Sequence, residues 1–445
     1  MKLGGVVAVS TWNGLALRWS LTRHFSPLTW VLASTFTGVM GTWVLTLTMP
    51  WFVFVTTGST SHAGMVVFAE LAPAVVARFL AGPVLDRVGL RRMSVVTSVV
   101  ETVCVTVIAV LVTMDRLPFP LLLALLALMG AAGGAGTLAK SFLAPSAARY
   151  VGFPEGRGIS LSSAMMTAGQ VFGPSLGAFL APEPVAGLIV VAALFTASAL
   201  IIGLALPHGM EPEHVQLDPR AEKLGYWRSL GEGIRYFRKD GLLVRLYVML
   251  ALMGFLVAPM NGVFLPLWAR ETDVGPGTIG ALVSMAALAG FVGSLVAVPV
   301  IERVRPVVIL AAGYLLIVPQ LLVLALGAPT WVVMAAWIAA GFAGAFPYAV
   351  VGKITYRWPP AELRSRTSSL GGSISKLGAA LGGLAAGFVV DRFGLMVPLI
   401  AGAVLYFLVT QGTVFRKDMR GLTPKIREDR PKEVAEAPVM EELTR

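Results

Sequence analysis

Five ionisable side chains sit inside or at the edges of long apolar runs: Glu70, Arg78, Glu101, Lys140 and Lys376. A charge in hydrocarbon is costly, so such groups pair with one another, line a water-filled path or carry an ion. The helical rise gives their depths. Arg78 precedes Asp86 by eight residues, roughly 12 Å, and Glu101 follows Arg92 by nine, roughly 13 Å, on the next antiparallel helix. The two fall level. The expectation is an Arg78–Glu101 ion pair, with Lys376 at similar depth and able to join it. Glu70 lies sixteen residues before Asp86, roughly 24 Å away along the same helix, with no such partner. A carboxyl in an apolar setting can exchange protons near neutral pH. Glu70 is therefore the candidate to carry a coupling proton or to meet a cationic substrate. Lys140 closes its apolar run and is expected to snorkel to the surface. Asn261, in "APMNGVF", and Gln170 are further polar candidates.

Positioning these groups requires membrane-spanning helices. The 445 residues are 56% hydrophobic and only 13% charged, against about a quarter charged in soluble domains. Runs of roughly 20 apolar residues, each able to cross a ~30 Å hydrocarbon core, recur at 28–55, 62–84, 94–114, 119–140, 159–181, 185–206, 242–268, 277–300, 306–326, 331–352, 368–390 and 395–414. The fold class is an all-α polytopic membrane protein of twelve transmembrane helices. The polar stretch 207–241 splits it into two six-helix bundles, 28–206 and 242–414, flanked by an N-terminal segment (1–27) and a charged tail (415–445). Within 207–241, Trp227, Leu230, Ile234 and Phe237 recur at helical spacing opposite Arg228, Arg235 and Lys239. That pattern predicts an amphipathic helix lying on anionic lipid.

Of the 35 Lys and Arg, only Arg116, Arg270 and Arg392 fall in the odd-numbered gaps between runs. Positive residues stay inside, so both termini are expected in the cytoplasm. The net charge of +11 is spent on topology, and nucleic acid is not called for. No GxxxxGK[ST] or HExxH occurs and Cys104 is the single cysteine; no enzyme, cofactor or metal is expected.

The run at 82–92, "GPVLDRVGLRR", carries Gly82, Asp86, Arg87, Gly89, Arg91 and Arg92 in the turn between the second and third helices. "AGPVLDRV" at 81–88 recurs as "AVPVIERV" at 297–304, keeping Glu302 and Arg303; duplicated halves are typical of transporters. The chain here resembles the major facilitator superfamily, whose signature loop these six residues match. The resemblance implies a latch in which Asp86 meets the start of the eleventh helix, at Ser368 or Ser369, and holds the cytoplasmic side closed. A third fragment, "GFVVDRFG" at 387–394, is read as a structural turn at Asp391–Arg392. In the fifth helix Gly169, Gly173 and Gly177 share a face with Pro174 inserted, and Gly378 and Gly382 recur in the eleventh. Small residues at this spacing let helices approach closely, and the family's fifth-helix Gly-Pro signature implies export.

The resulting expectation is a monomeric secondary transporter in the cell membrane, working by alternating access. It would export amphipathic or hydrophobic small molecules of drug or siderophore type, coupled to protons or sodium. An uptake permease, a lysophospholipid flippase and a transporter-like sensor acting through the tail are the alternatives.

Overall fold

The computed structural model describes residues 26–206, 234–236, 238–358 and 364–416. The N-terminal segment, the tail, and Trp227, Arg228, Leu230 and Phe237 of the expected amphipathic helix lie outside the described residues. Twelve helical paths follow: α1 (Ser26–Thr57), α2 (Thr60–Val88), α3 (Leu90–Thr113), α4 (Phe119–Tyr150), α5 (Glu155–Leu180), α6 (Pro184–Ala205), α7 (Gly241–Glu271), α8 (Pro276–Arg303), α9 (Pro306–Ala325), α10 (Thr330–Arg357), α11 (Arg364–Phe393) and α12 (Met396–Val414). Eleven of them are long and apolar enough to cross a membrane. The exception is α5, long enough at 26 residues but enriched in Ser160, Ser162, Ser163, Thr167, Gln170 and Ser175.

Start signals are local. Proline opens α4, α6, α8 and α9, where its missing N–H costs nothing. Ser59 caps α2, and Asp240 caps α7 through Leu242 and Leu243.

The helices outrun the apolar runs. Expected to stop near residue 140, α4 continues to Tyr150, and a single residue, Gly89, separates α2 from α3. Hydropathy marks where lipid ends, whereas the backbone goes on until something breaks it. Here the breaker is Gly89 at φ 84°, ψ 154°, a conformation that glycine adopts without strain. Asp86 and Arg87 thus occupy the last turn of α2 rather than a loop.

Two helices of the second half are interrupted. A π turn, Met260–Phe264, sits inside α7, between two prolines, Pro259 and Pro266, that cannot donate into the ladder. In α9 the helix breaks between Leu315 and Val318, where Pro319 leaves the Leu315 carbonyl without its donor.

The apolar core of α1–α6 is two clusters. One gathers Val44, Met49, Val53, Ile108, Leu126 and Phe195 at the end where α1 finishes and α2 begins, hereafter the joined end. The other gathers Leu28, Leu85, Leu90, Leu143 and Ile202 at the far end. The second half has one larger cluster around Trp268, Trp337, Tyr314 and Tyr406. The halves meet along α2 against α11 and α5 against α8.

Candidate functional site: a seam between the halves and a polar belt

Among the described residues, the bonds that join the halves gather at the joined end. Asp391, in the last turn of α11, accepts from the α2 start: Thr60 N at 3.0 Å, Ser61 N at 2.9 Å, Thr60 Oγ1 at 2.5 Å and Ser59 Oγ at 3.2 Å. A carboxylate on the unsatisfied N–H groups of a helix start is favoured by hydrogen bonding and by the helix dipole together. Asp391 is therefore a bridge between the halves, not merely a turn residue. Next along the seam the backbones touch. A Cβ on Gly64 would lie 2.5 Å from the Gly383 carbonyl, and one on Gly387 would lie 2.6 Å from that of Thr60. Across the other seam Ser175 Oγ donates to Ser284 Oγ at 2.6 Å, and Gly280 lies under Pro174 and Ala178. The Arg270 guanidinium sits 5.4 Å over the Phe54 ring.

Gly173, Ser175 and Gly177 also have the G-x-S-x-G spacing of a hydrolase nucleophile turn. They form unbroken helix instead, and the described histidine, His62, stacks edge-on against Phe119.

Between the two apolar clusters of the first half runs a polar belt. Lys140 Nζ donates to Ser198 Oγ at 2.8 Å and to Ser98 Oγ at 3.2 Å, and Ser34 and Ser198 hydroxyls pair at 2.8 Å. Glycine makes the room: a Cβ on Gly38 would come within 2.9 Å of Nζ. Lys140 does not snorkel. It lies ten residues before Tyr150, roughly 15 Å from the helix end, because α4 extends past the apolar run. Its electrostatic partner is Glu101, which is 8% exposed and turned toward Gly133 of α4.

The expected Arg78–Glu101 pair is not formed. The residues are level but face different helices. Glu101 looks toward α4, while Arg78 follows Val67 by eleven residues, about three turns, and so returns to the face that Val67 presents to Gly383 of α11. There its charge reaches Lys376.

Glu70 is buried and accepts from Thr46 Oγ1 at 2.8 Å. Directly beneath it α4 presses on α2: Cβ atoms on Gly130 and Gly134 would lie 2.0 and 2.2 Å from the Glu70 and Ala74 carbonyls. That four-residue glycine spacing was visible in the sequence, as was the recurrence of Asp-Arg-x-Gly at 391. The belt left no signal beyond scattered serines.

The surroundings of Gly82 and the side chains of Asp86, Arg87, Ser368 and Ser369 lie outside the described residues. Arg91 donates to the Ile202 and Gly203 carbonyls at the end of α6, satisfying acceptors the helix leaves open. Arg92, Glu302 and Arg303 are exposed. Gly169, Gly173 and Gly177 lie against Val39, Trp43 and Val44 of α1, while Gly378 and Gly382 lie against Ala251 and Phe255 of α7. These glycines fasten helices within each half. Gln170 and Asn261 are half-buried, Asn261 within the π turn.

A family model described as Major Facilitator Superfamily matches residues 31–271 and 250–443. The multidrug efflux pump Tap of Mycolicibacterium fortuitum is 25% identical over 403 residues, covering 89% of this chain and 97% of that protein. The same-named pump of Mycobacterium tuberculosis H37Rv is 25% identical over 384 residues, covering 85% and 90%. Among solved structures, a mutant of the nucleoside transporter NupG superposes with TM-score 0.75 at 12% identity, covering 87% of this chain and all of its own. A bacterial homologue of the human lysosomal transporter Spinster superposes with TM-score 0.66 at 15% identity, covering 89% and 96%.

Proposed function

Because this chain belongs to the major facilitator superfamily, a multi-pass membrane protein built to move small molecules across a bilayer, we propose that it is a proton-coupled exporter of amphipathic or hydrophobic compounds. Both termini lie in the cytoplasm on this reading, from the distribution of Lys and Arg. The joined end then faces outward.

The observation that supports the reading is the union of the halves at the joined end. Asp391 on the α2 start and Ser175 on Ser284 hold the outer end, and on this reading a substrate in the cytoplasm or inner leaflet enters between the halves from the other. Export follows when the outer bonds break and the inner ends approach, the two states exchanging as populations. The name of the efflux pumps at 25% identity supports this direction. On the inner side, Asp86 and the start of α11 are assigned the opposing latch.

Glu70 is assigned the coupling proton. It is enclosed, and its hydrogen bond comes from a hydroxyl, which can donate to a carboxylate or to a carboxylic acid alike. Loading and unloading a proton therefore need not break the Thr46 contact. Glu101 is assigned a charge-balancing role instead, since Lys140 stands beside it.

The test is transport in inverted vesicles with an imposed pH gradient, screening dyes, siderophores and lysolipids. Gradient-driven accumulation supports export. Uptake only by right-side-out vesicles would assign the chain to import.

A further inference from the structure

The antiparallel seam of α2 and α11 can be followed residue by residue. Thr60 meets Asp391 and Gly387, Gly64 meets Gly387 and Gly383, and Val67 meets Gly383. Continuing down α11, Lys376 stands seven residues, about two turns, before Gly383; continuing down α2, Arg78 stands about three turns beyond Val67. Both positions return to the seam, and the two charges act on each other. One end of the seam is thus tied by hydrogen bonds and the other carries two cations.

Among the described residues neither Arg78 nor Lys376 has a hydrogen-bond or ion-pair partner. The acids that could serve are turned elsewhere. Glu70, about 12 Å along α2, is held by Thr46; Glu101 faces α4 and Lys140; Asp391, about 22 Å along α11, is spent on the α2 start. The Asp86 side chain lies outside the described residues. Two cations acting on each other at membrane depth, with no counter-charge among the described side chains, are unfavourable unless an anion visits them.

We infer that Arg78 and Lys376 together form a binding site for the anionic group, a carboxylate, sulfonate or phosphate, of an amphipathic ligand that enters between the halves from the far end. The guanidinium fork grips two oxygens while the ammonium supplies a point charge. Since the residues belong to opposite halves, an anion between them draws the far ends together. Binding thereby favours closure on the side from which the ligand came. The inference deepens the transport reading by naming a substrate class.

The experiment measures binding rather than flux, so it stands or falls apart from export. Naphthoate and its neutral amide, naphthamide, are titrated into the purified full chain in neutral phosphatidylcholine nanodiscs, and the ligand-dependent rise in melting temperature is followed. Expected is saturable stabilisation by naphthoate, weakened at least tenfold in Arg78→Gln and in Lys376→Gln and retained in Arg78→Lys, with the amide ineffective throughout. A parallel titration with phosphatidylglycerol distinguishes sources. Stabilisation by that lipid, lost in the same variants, identifies a headgroup as the anion. Equal responses to naphthoate and naphthamide, or glutamine variants that bind naphthoate like the parent, overturn the proposal. Removing a bare charge leaves the fold intact, and the parent-like melting temperature of each ligand-free variant checks that.

Discussion

Replacing Asp391 with alanine removes the acceptor for four hydrogen bonds, from Ser59 Oγ, Thr60 N, Thr60 Oγ1 and Ser61 N. Losing a helix cap costs about 0.5–2 kcal/mol. Asp391 is exposed, so water replaces part of what is lost. Ser59 Oγ already accepts from His62 N at 3.3 Å and stays in place, which keeps α2 folded. The penalty thus falls on the union of the halves, at about 1–2 kcal/mol, or roughly 5- to 30-fold in the ratio of joined to parted states. Spin labels at Thr57 and Phe393, both exposed, in a Cys104→Ser background would report the distance across this end. Asp391→Ala should raise the long-distance population by that factor. Asp391→Asn, which keeps an oxygen acceptor but not the charge, should fall between. An unchanged distance distribution in a well-folded Asp391→Ala protein would refute the assignment of Asp391 as a latch.

Glu70→Gln should abolish pH-driven accumulation while leaving substrate affinity within about twofold, since it changes the proton site without touching the seam; unchanged gradient-driven transport removes Glu70 from coupling. Lys140→Met removes the donor to Ser98 and Ser198 and the positive charge near Glu101, and should lower stability by about 1–3 kcal/mol. Adding Glu101→Gln should restore part of it, and additive losses in thermal melts would show the two are uncoupled. Gly130→Ala forces a methyl toward the Glu70 carbonyl, 2.0 Å away, and should cost about 1–3 kcal/mol or more. Gly156→Ala, with nothing within 4 Å, should melt like the parent, and a Gly130→Ala melt equal to that control would contradict the close α2–α4 contact.

Apolar runs of membrane length are a strong signal, and the twelve paths and the six-plus-six pattern are legible from them. Charge placement was less so. Depth can be counted along a sequence, but rotation about the helix axis decides which neighbour a side chain meets, and that depends on packing. Counted depth puts Arg78 and Glu101 level, yet they look toward α11 and α4. Lys140 was misread for a different reason: polar residues after an apolar run can continue the helix, so the run's end is not the helix's end. Asp391 carried its signal openly, as a copy of the Asp-Arg-x-Gly fragment. Its meaning required knowing that the α2 start lies opposite.

Two helices of the second half are interrupted, while α2, α3 and α6 of the first are tied to one another. Gly89 joins α2 to α3 without slack, and Arg91 fastens the start of α3 to the end of α6, so a tilt imposed on α2 is passed to both. The second half contains the π turn of α7 and the break of α9, two points where the backbone can stretch or yaw at small cost. Strain arising during turnover should therefore collect in the second half. One half acts as a stiff lever and the other as the compliant bearing against which it works.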